Sequence, residues 1–301
     1  MKRTWIVGTR GSKLALVQTG MVIDGLRALY PDCDFTVKTI KTTGDSVWNT
    51  PLYLIGQKGL FIKEIEEALA KGEIDLAVHS IKDLPTELLP GLALSSVLER
   101  EDPRDTFISL MHDRLADMPK GSRIGTSSMR RRAQLLAFRP DIEILPLRGN
   151  VDTRVKKLDG QNLDGLILAY AGVKRMGLQH RVKEVLPFDV MVPACGQGAI
   201  GIETRVAGEA ADLVSSLNHD PSGFEVGLER AFQAAVGGGC SLPLGVNAHL
   251  SGNRVTLRAV YGDENGALLF KESAEGERTE GDMLAKRLLA GLDNARGCRV
   301  V

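Results

Sequence analysis

Three groups of residues in this 301-residue chain have the types and spacing to do chemistry. The first is Cys240 in "VGGGCSLPLG" (236–245), where three glycines lead into a thiol. Glycine opens backbone conformations closed to other residues and lets neighbouring groups approach closely, so the thiol stands on a shaped loop. It could be a nucleophile, a metal ligand or an anchor, and the motif alone equally allows a small buried apolar residue. The second group is "IDLAVHSIKDLP" (74–85), which sets His79, Ser80, Lys82 and Asp83 just beyond a buried strand, with Pro85 restricting the exit. A carboxylate there can stabilise a cation or shuttle a proton, and Lys82 beside it can bind an anion. Capping of a short helix is the competing role for Asp83. His79 and Cys240 superficially suit a thiol hydrolase, but the local signatures of such enzymes are absent.

The third group is a set of arginines beside glycine or small hydroxyl residues. Arg10 and Ser12 lie in "GTRGS"; Thr126, Ser127, Ser128, Arg130, Arg131 and Arg132 in "GTSSMRRR"; Arg148 and Arg154 in "LRGNVDTR". Between Lys120 and Lys157 there are ten Lys or Arg against three Asp or Glu, although the whole chain balances 38 against 38. Several of these arginines follow a predicted strand and open a predicted helix, where free N–H groups and the helix dipole favour anions. Guanidinium groups grip carboxylates bidentately. A single such arginine reads as a solvated helix face; a set repeated at strand-to-helix turns reads as a cleft for a polyanion. Nucleic acid is the rival anion, weakened by the lack of interleaved aromatics or a nucleic-acid module.

These residues need elements to position them, and the hydrophobic periodicity supplies an order. "TWIVGT", "DFTVKTI", "IDLAVHS" and "LALSSVLE" read as strands. A helix capped by Ser12 carries the stripe Leu14, Val17, Met21, Val22, Leu26, Leu29, and "LFIKEIEEALAKG" is a second helix that Gly72 stops. The pattern restarts after the turn-rich "EDPRD" (101–105): "SRIGTS", "IEILPL" and "DGLILAYAG" alternate with helices "SSMRRRAQLLAF" and "VDTRVKKL". Such βαβα order implies mostly parallel sheets covered by helices. After "NHDPSG" come the helix "FEVGLERAFQAAV", the glycine–cysteine loop, three hairpin-like strands ("VNAHL", "RVTLRAVYG", "ALLFKES") and a last helix, "GDMLAKRLLAGLDNA". The fold class is α/β, two α/β domains followed by a smaller α+β domain. Four scattered cysteines without a CxxC pair argue against a zinc knuckle or a disulfide-stapled secreted domain. No apolar run is long enough for a signal-peptide core or a membrane span, so a cytoplasmic protein is expected.

"TRGSKLAL", "QKGLFIKEIE", "DLAVHSIKDLP", "EREDPRD", "GTSSMRRRAQL", "LRGNVDTR", "LAYAGVKRMG", "GQGAIGIE" and "GGGCSLPLG" occur in this order. Together they resemble the porphobilinogen deaminase (hydroxymethylbilane synthase) family, densely from about Arg10 to Gly245. The resemblance implies a transferase of tetrapyrrole and heme biosynthesis that joins four porphobilinogen molecules head to tail, releases ammonia from each, and hydrolyses the product hydroxymethylbilane away. It implies two periplasmic-binding-protein-like domains, 1–98 plus 199–216 (catalytic Asp and mobile loop) and 99–198 (arginine-rich cleft), and a C-terminal domain, 217–301, with the cysteine loop. By resemblance, Cys240 anchors a dipyrromethane cofactor through a thioether, and Asp83 is the catalytic acid that stabilises cationic pyrrole intermediates. Arg10, Lys82, Arg130, Arg131, Arg148 and Arg154 match positions that bind cofactor or substrate carboxylates. Ser12, Thr126, Ser127 and Ser128 match hydroxyl and loop contacts, and Lys58 lies on a loop over the site.

The pattern departs from the family in three places. Leu54 stands where some relatives carry lysine, "QKG" replaces a more glycine-rich version, and Arg132, extending the usual pair, reads as a solvated helix residue. No metal, membrane or nucleic-acid partner is expected, and a monomer suits the family. A non-catalytic carboxylate-binding module would explain the arginines but leave "GGGC" and the third domain unemployed.

Overall fold

In the computed structural model, the described residues are 4–42, 62–160, 162–206, 208–237, 242–263 and 265–297; Cys240, Lys58 and Leu54 lie outside them. The chain divides into two compact units, Met1–Glu101 with Gly198–Phe224, and Asp102–Gln197 with Glu225–Val301.

The first unit is a five-stranded sheet. It contains β1 (Thr4–Arg10), β2 (Asp34–Ile40), β3 (Leu76–Ser80), β4 (Leu92–Val97) and, from the late segment, β10 (Ile200–Arg205), in the order β2-β1-β3-β10-β4. Side chains alternate across it, as the period of two requires. Val7, Leu76, Val78, Ile200 and Ile202 face one side, where α1 (Lys13–Leu29) contributes Val22, Ile23 and Leu26 and α6 (Glu209–Ser215) contributes Leu213 and Val214. Ala77 and Ile6 face the other, under Ile65, Ala68 and Leu69 of α2 (Lys63–Ala70). Each such fully buried aliphatic contributes about 1.5–3 kcal/mol.

Ser12 caps α1 as expected, its Oγ accepting from the Ala15 N–H at 3.2 Å. Gly72, at φ +74°, ends α2 as expected. The apolar stripe of α1 is displaced from its expected place: Val17, Met21 and Leu29 are exposed, and Gln18 and Thr19 are buried instead. The physical reason is local hydrogen bonding. Thr19 Oγ1 donates to the Ala15 carbonyl at 2.8 Å and Gln18 Oε1 accepts from Ser80 Oγ at 2.9 Å, so both polar groups are satisfied inside.

The second unit holds a sheet of order β7-β6-β8-β5-β9, built from β5 (Asp105–Ile108), β6 (Arg123–Gly125), β7 (Glu143–Leu145), β8 (Gly165–Ala169) and β9 (Glu184–Val185). Its helices are α3 (Met129–Phe138), α4 (Val151–Gly160) and α5 (Tyr170–Arg175). The same unit carries the smaller α+β portion. That is the meander β11 (Leu244–Ser251), β12 (Arg254–Gly262) and β13 (Leu268–Glu277), covered by Leu284, Leu288 and Leu292 of α8 (Gly281–Gly297). The β11–β12 turn is two residues long, and Gly252 at φ +60° takes the position where a type II′ turn requires it. Gly262 lies against α3 so closely that a Cβ would fall 2.6 Å from Ala133 Cβ. Helix α7 (Asp220–Ala235) runs across the later unit boundary, and its buried Glu229 accepts from the Gly196 N–H at 2.7 Å and the Ala248 N–H at 2.8 Å.

The two large sheets are mostly parallel, as expected, each with one reversed strand: β10 pairs antiparallel with β3 and β4, and β5 antiparallel with β8 and β9. Two other expectations are corrected. "YAG" is not strand: β8 stops at Ala169 and α5 begins at Tyr170. The helix expected from Phe224 begins earlier: "DPSG" forms the first turn of α7, where Asp220 and Pro221 suit a helix N-terminus.

Candidate functional site

In the first unit the predicted residues gather at one edge of the sheet. β1 and β3 are adjacent and parallel, with Val7 opposite Leu76 and Gly8 opposite Ala77. The ends of both strands therefore reach the same edge, which brings Arg10, Ser12, Lys82 and Asp83 to the place where open α/β sheets bind ligands. Lys82 and Asp83 sit on a 3-10 turn, Ile81–Asp83, directly after β3. Ile81 and Leu84, 1% and 2% exposed, plug the turn into the core on either side of them. The Leu84 N–H closes the turn on the Ile81 carbonyl at 2.9 Å, and the Ile81 N–H bonds the Ala199 carbonyl at 3.1 Å.

Gly201 makes room for this plug, since a Cβ there would lie 2.9 Å from Ile81 Cγ1 and 2.5 Å from Leu94 Cδ1. Gly201→Ala is expected to lower stability by about 1–3 kcal/mol through overpacking. A urea midpoint unchanged from wild type would show that the two side chains give way instead. The capping role for Asp83 is corrected. The turn's N-cap is Ser80, Asp83 is its last residue, and the half-buried Asp83 carboxylate has no hydrogen bond or ion pair among the described residues.

In the second unit β6 and β7 are parallel neighbours, so the turns after them share an edge. The three hydroxyls expected as ligand contacts also shape the backbone. Thr126 Oγ1 accepts from the Ser128 N–H at 3.2 Å. Ser128 caps α3 by accepting from the Arg131 N–H. Ser127 Oγ donates to the Leu147 carbonyl at 3.1 Å and accepts from its N–H at 3.0 Å, lacing the two turns together. Arg154 Nε donates to the Gly149 carbonyl at 2.6 Å, and Gly149 at φ +120° leaves only 2.8 Å between a Cβ and Thr153 Cγ2. The Arg148 side chain, half-buried beside them, has no hydrogen bond or ion pair among the described residues.

Arg130 and Arg131 are not waiting for a partner. Both are buried, and both converge on Asp105, itself wholly buried: Arg130 Nη1 meets Oδ2 at 2.7 Å and Arg131 Nη2 meets Oδ1 at 2.7 Å. Gln197 Nε2 adds a third donor to Oδ1 at 3.0 Å. Burial alone would raise the Asp105 pKa, but the two guanidinium charges and their hydrogen bonds hold it well below the ordinary carboxylate range. Two cations and one anion leave a net single positive charge, fixed in position. Arg132 is half-buried, and its side chain packs against Gly266 rather than standing free in solvent as expected. Asp105 is the residue that sequence reasoning missed, because "EDPRD" reads as a charged crossing. Its only signal is an acid opening a short apolar run, "DTFI".

Two family models match the chain in succession. "Porphobilinogen deaminase, dipyromethane cofactor binding domain" covers residues 5–212, and "Porphobilinogen deaminase, C-terminal domain" covers 224–294. The chain belongs to the porphobilinogen deaminase family. Porphobilinogen deaminase of Desulforudis audaxviator is 48% identical over 96% of this chain and 95% of that relative. The enzymes of Pelotomaculum thermopropionicum and Syntrophomonas wolfei are each 45% identical, over 96% and 98% of this chain and 93% and 97% of their own lengths. Among solved structures, the methionine binding protein MetQ covers 71% of this chain and 89% of its own at 14% identity and a TM-score of 0.43.

The protein is thus an enzyme of tetrapyrrole biosynthesis, a transferase that polymerises porphobilinogen and uses a dipyrromethane cofactor. The donor set suits that cofactor: each of its pyrroles bears an acetate and a propionate, and arginine, hydroxyl and helix N-terminal N–H groups at the strand ends are carboxylate-binding chemistry. Among the described residues, no helix is long and apolar enough to cross a membrane and no group of His, Cys, Asp or Glu is arranged to hold a metal.

Proposed function

We propose that Asp83 stabilises the cation formed as ammonia leaves porphobilinogen, and that Cys240 anchors the dipyrromethane through a thioether. One observation supports the first assignment above the rest. A half-buried carboxylate with no partner of its own among the described residues stands on a turn plugged into the core at the ligand edge of the sheet. Departure of ammonia leaves positive charge conjugated with the pyrrole N–H, and a fixed carboxylate beside that N–H lowers the energy of the charge as it develops. The same group takes and returns protons as the leaving amine departs and the new carbon–carbon bond forms. When bound, the dipyrromethane supplies the pyrrole end to which substrate units are joined.

Arg10, Lys82, Arg148 and Arg154 bind acetate and propionate groups of cofactor and substrate. Arg130 and Arg131 serve the same end through the one positive charge that Asp105 leaves them. Ser12, Thr126, Ser127 and Ser128 add hydroxyl and N–H contacts, and Lys58 adds a further cation for cofactor or substrate carboxylates. The enzyme works as a cytoplasmic monomer with no nucleic-acid partner, its three domains dividing at 98, 198 and 216 as in the sequence reading.

Intact mass tests the anchor. Protein purified from a host that makes porphobilinogen is expected to carry an adduct of two linked pyrroles, and Cys240→Ser protein from the same host is expected to carry none. An adduct that survives the substitution sinks the assignment of Cys240.

A further inference from the structure

The turn that carries Asp83 is fastened at both ends to one buried cluster that the chemistry above does not use. Upstream, His79 on β3 places Nε2 at 3.0 Å from Glu203 Oε2 on β10, with the two side chains 4% and 0% exposed. Downstream, the Leu89 N–H donates at 3.2 Å to Oε1 of Glu66 on α2, itself buried. Residues 80–88, with Lys82 and Asp83 among them, form the span between these two attachments. The cluster is also joined within itself. Burial first, and then the charge of Glu203, push the Glu66 carboxyl above its ordinary value, so the two acids lie close enough to interact. Glu203 Oε1 is buried without a hydrogen bond among the described residues. Burial and the neighbouring Glu203 favour the neutral form of Glu66, because two adjacent carboxylate charges in a dry space repel strongly.

Other charged groups around this face are few. Arg205 of β10 is committed to the Leu69 and Ile74 carbonyls at 2.6 and 3.0 Å, beyond the far end of α2. Lys38 of β2 pairs with Glu73 at 2.9 Å. Glu64 stands on α2, Glu87 is exposed in the segment after the turn, and β4 brings no ionisable side chain. Arg10, two residues beyond Gly8 on β1, shares the face with His79.

We propose that Glu66, His79 and Glu203 form a clamp holding the Asp83 turn from both sides, which makes them positioning residues for the polymerisation. The proposal rests on the assignment of Asp83 as the group that stabilises the cation. A turn loosened at Leu89 lets the carboxylate drift, and a displacement of about 1 Å costs on the order of 10²-fold in rate. Of the groups assigned to substrate carboxylates only Lys82 rides on this span, so KM changes less than kcat.

The experiment compares Glu66→Ala and Glu66→Gln holoenzyme, checked for adduct mass, with kcat and KM measured against pH. Glu66→Ala is expected to lose kcat by about 10²-fold with a much smaller change in KM. Glu66→Gln, which still accepts from Leu89 and cannot ionise, is expected to recover most of that loss. It is also expected to lack any fall in kcat that accompanies loss of the Glu66 proton, which burial and then Glu203 hold above the ordinary carboxylate range. Wild-type kcat in Glu66→Ala overturns the clamp, as does a Gln variant whose pH profile matches wild type. If the Ala variant fails to fold, the Gln profile decides alone. Asp83→Asn separates the two ideas: wild-type turnover there removes the Asp83 assignment, whereas the Glu66 pair reports only on the clamp.

Discussion

Asp83→Asn is expected to lower turnover of porphobilinogen by about 10²–10³-fold, the usual loss when one fixed group facing a developing charge is removed. The amide has the shape of the carboxylate but neither its charge nor its basicity. KM should move far less than kcat, because the lost interaction is strongest once the cation has formed. Stability should stay within about 0.5 kcal/mol of wild type, since the carboxylate is half-buried and has no internal partner among the described residues. That combination separates catalysis from folding. An undiminished rate would remove Asp83 from the mechanism.

The largest stability effect is expected at Asp105. Asp105→Asn leaves the Arg130 and Arg131 guanidiniums, both buried, converging on a neutral amide. Stranding buried charge in this way costs about 3–5 kcal/mol, and circular dichroism in urea would measure it. The pH dependence gives a second reading. The folded pKa of Asp105 lies below its ordinary value of 3.8, so its stabilising contribution is present above that value and is lost as pH falls below it. Wild type is expected to weaken on acidification through that window, and the Asn variant to lack this part of the loss. A variant with wild-type stability at neutral pH would mean that the two arginines find other partners.

Much of the site was legible in the sequence, because strand-to-helix turns write themselves in short-range signals. Ser12 is a cap readable from residue type, and the ends of β1, β3 and β6 follow from apolar runs of a few residues. What was not legible depends on pairing across long separations. Asp105 finds its arginines 25 and 26 residues away, and His79 finds Glu203 124 residues away. Nothing local to a buried acid distinguishes it from a solvated one. The same limit hid the one reversed strand in each mostly parallel sheet, β10 and β5: strand character is local, whereas the direction of a partner is a property of the whole topology. Arg130 and Arg131 looked alike to Arg148 in sequence, yet two are neutralised in part from within while the third has no partner among the described residues.

The late strand β10, inserted between β3 and β4, has a consequence for the order of events at the ribosome. Until residue 205 has been made, β3 and β4 each lack their shared neighbour, and the first unit is a sheet with its interior missing. The segment 102–197, by contrast, has all five of its strands before then. Vectorial synthesis therefore completes the later-starting sheet first, and closure across a long loop, the slow kind of step in folding, is left to the unit that carries Asp83.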